Sequence, residues 1–77
     1  MKSVKINLKM AENVKQFVNI TMKYDCDIDL RSGRFVVDAK SILGIFSLDL
    51  SKPLVLEVYS AQCDDLLDEL KPFIVAE

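Results

Sequence analysis

The chain contains no histidine and no tryptophan, and only two glycines, two prolines and two cysteines among its 77 residues. The missing histidine excludes the most chemistry. Imidazole is the usual acid/base near neutral pH, the commonest metal ligand and a frequent phosphoryl acceptor, so no serine or cysteine here can have a histidine base. Cys26 and Cys63 each stand without a second cysteine at metal-ligand or redox spacing and are expected as reduced, partly buried thiols. So little glycine and proline leaves no linker, repeat or low-complexity stretch. A chain this short buries only about 60% of its unfolded surface, which leaves room for one core and a single domain, 1–77.

Charge of either sign is also modest. Ten lysines and arginines against twelve aspartates and glutamates give a net charge of −2, too little positive field for nonspecific attraction to phosphate backbones. Nucleic acid is not an expected partner. The first residues, Met-Lys-Ser-Val-Lys-Ile-Asn-Leu-Lys, alternate charged and apolar positions, and no stretch approaches the ~20 apolar residues of a membrane span. A cytoplasmic location is expected.

What is present is periodicity. Val4, Ile6 and Leu8 alternate with polar residues and predict a strand. From Ala11 the spacing changes to three and four, with Ala11, Val14, Phe17, Val18, Thr21 and Met22 on one stripe, which predicts a three-turn helix. Alternation returns with Cys26, Ile28 and Leu30, then with Phe35, Val37 and Ala39, and predicts a hairpin turning around Ser32 and Gly33. Ser41 precedes Ile42 to Leu48 as the N-cap of a short helix, in which Gly44 costs about 1 kcal/mol relative to alanine. Pro53 opens a strand from Leu54 to Ser60, with Leu54, Leu56 and Val58 inward and Val55, Glu57 and Tyr59 outward. The last helix starts with acids at Asp64 and carries Leu66, Leu67, Leu70, Phe73 and Ile74 on one stripe, and Pro72 loosens its final turn. This order predicts a two-layer α+β sandwich, four strands covered on one face by three helices.

Three clusters invite chemistry. Asp25, Asp27 and Asp29 have the spacing that opens a calcium loop, but Leu30 and Val36 stand where its glycine and bidentate glutamate belong. Asp64, Asp65, Asp68 and Glu69 crowd a helix start, where negative charge is favourable without any metal. Lys2, Lys5, Lys9, Lys15 and Lys23 read as a solvated face. No cofactor or metal is expected. The segment after Ser41 differs. Ile42, Leu43, Ile45, Phe46 and Leu48 put apolar residues almost all round a short helix, so some of Ile42, Leu43 and Phe46 are expected at the surface, as in contact patches.

Lys40-Ser-Ile-Leu-Gly-Ile-Phe-Ser-Leu48 resembles the regulatory-serine segment of HPr, the phosphocarrier protein of the bacterial sugar phosphotransferase system. Lys23-Tyr-Asp-Cys-Asp-Ile-Asp-Leu30 is similar to the end of that family's first helix and its second strand. The resemblance implies the HPr fold, an open-faced sandwich with a four-stranded antiparallel sheet in the order βαββαβα. The family's active site is a Gly-Ile-His-Ala-Arg-Pro segment entering the first helix. Here Leu8-Lys-Met-Ala-Glu-Asn13 stands in its place, with Met10 nearest the histidine and Glu12 nearest the arginine, so the phosphocarrier role is not carried over.

The second family site is carried over. In Gram-positive HPr proteins, and in the catabolite-repression HPr-like protein that also lacks the histidine, the serine matching Ser41 is phosphorylated by an ATP-dependent kinase and the product binds a transcriptional regulator. The resemblance thus implies a non-catalytic docking protein in carbon catabolite regulation, with Ser41 as phosphorylation site, Ile42, Leu43 and Phe46 as the docking patch, and a kinase or regulator as protein partner. Two alternatives stand beside it: a phosphoryl-transfer component using Glu12 as an acyl phosphate, and an interaction protein that keeps only the fold.

Overall fold

The structure, a computed structural model, describes residues 2–75. Met1, Ala76 and Glu77 of the expected 1–77 unit lie outside the described residues. The alternation of Val4 and Ile6 with Lys5 produces strand β1 over Lys2–Ile6. Leu8, expected as its third inward residue, is buried but lies beyond the strand, because the chain there leaves the ladder and the Asn7 N–H donates to the Phe73 carbonyl at 2.8 Å.

Helix α1 spans Ala11–Thr21 and buries Val14, Phe17, Val18 and Thr21. Ala11 and Met22, at the two ends of the expected stripe, are exposed. Strands β2 (Asp27–Ser32) and β3 (Phe35–Asp38) form a hairpin in which Ser32 pairs with Phe35. Its two-residue loop is therefore Gly33–Arg34, one residue later than the alternation suggests. Gly33 takes a φ of 59°, and glycine first in a two-residue loop is the type II′ pattern whose twist matches the flanking strands.

Helix α2 (Ile42–Phe46), strand β4 (Leu54–Tyr59) and helix α3 (Asp64–Glu69) follow. Pro72 has no N–H to continue α3, and the chain tightens into a 3₁₀ turn at Lys71–Phe73. That turn sets the Phe73 ring edge-on to Phe17, centroids 6.4 Å apart, a geometry worth about 0.5–1.5 kcal/mol beyond its buried area.

All strand pairs are antiparallel, in the order β1-β4-β2-β3. The three helices cover one face and close a core around Ile6, Phe17, Ile28, Leu30, Leu54, Leu56, Val58, Leu66 and Leu70. The other face stays open. Glu57 lies on that open face, as its parity requires, yet it is buried because β4 runs between β1 and β2. Its carboxylate accepts from Arg31 Nη2 at 3.0 Å, which compensates the charge.

Candidate functional site

The two candidate sites are the starts of α1 and α2. Before α1, Met10 has the extended backbone of an N-cap (φ −115°, ψ 147°) but no side-chain acceptor, so no cap hydrogen bond forms there. Its thioether is 63% exposed. Glu12 follows in the first turn, also exposed. Beside them, Asn7, Lys9, Asn13, Gln16 and Asn19, with Phe73, line a groove of about 680 Å³.

Before α2, Ser41 is extended (φ −101°, ψ 104°) and its Oγ accepts the Gly44 N–H at 3.2 Å. The backbone in front is held by Asp38, whose Oδ1 accepts the Lys40 N–H at 2.8 Å and whose carbonyl accepts the Ser41 N–H at 3.0 Å. Ser41 itself is exposed. A Cβ at Gly44 would come within 3.3 Å of the Val37 Cβ and 3.2 Å of Ser41 Oγ, so glycine lets this helix sit close on β3. Ile45 is buried and Ile42 half-buried, whereas Leu43 is 82% and Phe46 43% exposed. The expected excess of apolar surface falls on Leu43 and Phe46.

Lys40 does not reach toward Ser41. Its ammonium donates to the Tyr24 carbonyl, tying the entrance of α2 to the exit of α1. Beside it, Glu69 accepts hydrogen bonds from the Lys23 ammonium and the Tyr24 hydroxyl. The bond to Glu69, with desolvation second, pushes the Tyr24 phenol up to about 12. Lys23, then Tyr24, holds the Glu69 carboxyl below its ordinary value. Glu69 is therefore committed to a structural contact. Among the described residues no group of three or more acidic or cysteine side chains could hold a metal ion, and no helix is long and apolar enough to cross a membrane.

The structure keeps the two sites apart. Thr21, the last residue of α1, donates to the Ala39 carbonyl at 3.3 Å, which ties the entrance of α2 to the end of α1, whereas Met10 and Glu12 stand at the start of a helix roughly 16 Å long. The alternation that assigns Phe35 to the inner face misses its exposure, 72%. Phe35 shares a hollow with Ser47 and Leu48 just past α2, and a five-residue helix is too short to cover it. Its place next to the hairpin loop was the available signal.

Solved structures reproduce this architecture. The chain is similar to HPr-C-His from Thermoanaerobacter tengcongensis, with 28% identity, a TM-score of 0.79, and coverage of 94% of this chain and 89% of that one. It is similar to the phosphocarrier protein HPr of Bacillus anthracis at 25% identity and a TM-score of 0.72, covering 96% and 94%. A histidine-containing phosphocarrier protein of Mycoplasma shares the fold at 14% identity and a TM-score of 0.72, covering 92% and 86%. No curated protein sequence matches the chain. The family model described as "PTS HPr component phosphorylation site" matches residues 5–75, and with nearly the whole βαββαβα chain inside that match, this protein belongs to the HPr family of the phosphotransferase system.

Proposed function

We propose that this chain is a non-catalytic docking protein of the phosphotransferase system, regulated by phosphorylation of Ser41 and recognised through Ile42, Leu43 and Phe46. The observation that carries the reading is the pairing of an exposed serine hydroxyl with the exposed side chains of Leu43 and Phe46 on one short helix. The family's other site supports it by contrast. Met10 is a thioether that cannot carry a transferable phosphoryl group, Glu12 would repel one, and the chain has no histidine anywhere.

At Ser41 a phosphate gains from the amides at the start of α2. Lys40 would have to leave the Tyr24 carbonyl to add its charge, and the Asp38 carboxylate, bound to the Lys40 amide, works against it. The partner is expected to be a kinase of the HPr type and, after modification, a protein that takes up the α2 patch.

Incubation with ATP and an HPr kinase, followed by mass spectrometry, tests the reading. Phosphate on Ser41, absent from Ser41→Ala, is expected. No phosphate on Ser41 removes the regulatory half. A hydroxylamine-sensitive label delivered from phosphoenolpyruvate would instead place the chemistry on Glu12.

A further inference from the structure

We propose that two copies of this chain associate through the open edge of β3, antiparallel and centred on Val36. The sheet has two edges, and the chain treats them differently. Along β1, the C-terminal segment closes the edge: the Asn7 N–H donates to the Phe73 carbonyl at 2.8 Å, Ile6 bridges to Ile74, and the Val75 N–H donates to the Lys5 carbonyl at 2.8 Å. Along β3, no strand among the described residues pairs with the outer side, and only its end is covered, where the Asp38 carbonyl accepts the Ser41 N–H at 3.0 Å.

Which backbone groups face that edge follows from the register. The Ala39 N–H donates to the Ile28 carbonyl at 2.9 Å, so with Leu30 opposite Val37 and Ser32 opposite Phe35 the odd-numbered residues direct their polar groups at β2. In an antiparallel ladder the alternate residues direct theirs away. Val36 therefore presents both N–H and C=O to the open side and Asp38 its N–H, the Asp38 carbonyl being taken by the Ser41 N–H. The strand between Arg34 and Asp38 has no lysine, proline or bulge of the kind that blunts an exposed edge.

Hydrogen bonding to a second β3 must match even-numbered residues, which leaves three registers near the strand centre. Pairing Val36 with Asp38 of the second copy carries Arg34 past the end of β3 to the turn at Ala39 and Lys40, with no acid opposite. Pairing Arg34 with Val36 leaves Arg34 without an acid opposite. Pairing Val36 with Val36 sets Arg34 of each copy opposite Asp38 of the other, two ion pairs related by a two-fold axis. The segment Arg34-Phe-Val-Val-Asp38 is self-complementary in that register alone. The same register lays Phe35 next to Val37 of the second copy on the helix-covered face, which shelters a ring that is 72% exposed in the single chain. The result is one continuous eight-stranded sheet. With four residues in β3 the interface is short, and the association is weak and concentration-dependent.

Sedimentation equilibrium of the whole chain across a wide concentration range tests this. A monomer–dimer equilibrium is expected. Arg34→Glu, which sets two acids against Asp38, should raise the dissociation constant roughly tenfold or more, and adding Asp38→Arg to it should restore the dimer. Val36→Glu puts two carboxylates side by side in the dimer while facing Arg31 within one chain, so its far-ultraviolet circular dichroism and urea midpoint should stay near wild type while the dimer is lost. A chain that stays monomeric at the highest concentration overturns the proposal. So does a dimer that ignores both charge variants yet dissolves on Leu43→Ser with Phe46→Ser, since that contact would run through α2.

Discussion

Two helices of this molecule start in the same way, from an extended residue, and are held in place by different means. Helix α1 begins at Met10 without a cap and stands because Val14, Phe17, Val18 and Thr21 are buried along its eleven residues. Helix α2 has five residues and one buried side chain, Ile45, and depends on the Ser41 cap and on the close seat that Gly44 allows against Val37. A long helix with a buried face stands without a side-chain cap at its start. A short one does not, so Ser41 has a structural duty whether or not it is ever phosphorylated.

The sharpest way to break this contrast is Gly44→Val. The added atoms have to displace Val37 or the Ser41 hydroxyl, and overpacking of this kind costs about 1–3 kcal/mol, read as a lower urea midpoint. Ser41→Ala should cost about 1 kcal/mol through the lost cap. Ser41→Asn keeps an acceptor for the Gly44 N–H and should hold stability near wild type while removing the hydroxyl that the proposed phosphorylation needs, which separates the cap from the proposed modification.

Met10→Ser probes the other start. The backbone at position 10 already has N-cap geometry, so a hydroxyl there should add about 0.5–1 kcal/mol; an unchanged midpoint would mean that α1 gains nothing from capping. The smallest effect is expected at Glu69, which binds Lys23 and Tyr24, just past the end of α1, to α3. Its carboxyl holds a proton less tightly in the folded chain than in the unfolded one, because Lys23 and Tyr24 donate to it. The contribution is therefore present above the ordinary carboxylate range and lost as pH falls through and below it. It is small because Lys23 and Glu69 face solvent. Comparing wild type with Glu69→Gln in urea at neutral and at acidic pH should show the two midpoints converging as the pH drops.

Much of this architecture was legible before any coordinates. The switch from period two to period 3.6 at Ala11 locates α1, Ser41 marks the start of α2, and Pro72 marks where α3 gives way to a 3₁₀ turn. What escaped depends on neighbours distant in the chain. Parity puts Glu57 on the outer face correctly but cannot say that β4 is central, and the central position is what buries it. The same limit applies at the candidate site. Exposed apolar side chains after Ser41 follow from the excess of apolar residues on a short helix, whereas the diversion of Lys40 to Tyr24 is a contact across sixteen positions that no local pattern encodes.

The placement of β1 has a kinetic consequence. Ile6 finds its partner only at Leu54, and the far side of the same strand waits for Ile74 and Val75. The hairpin of β2 and β3 can form locally, but the sheet cannot be completed until the two ends of the described chain meet. Such non-local pairing requires loop closure before any contact rewards it, so this chain should fold more slowly than a helical bundle of its size, with β1 the last strand to acquire protection from hydrogen exchange.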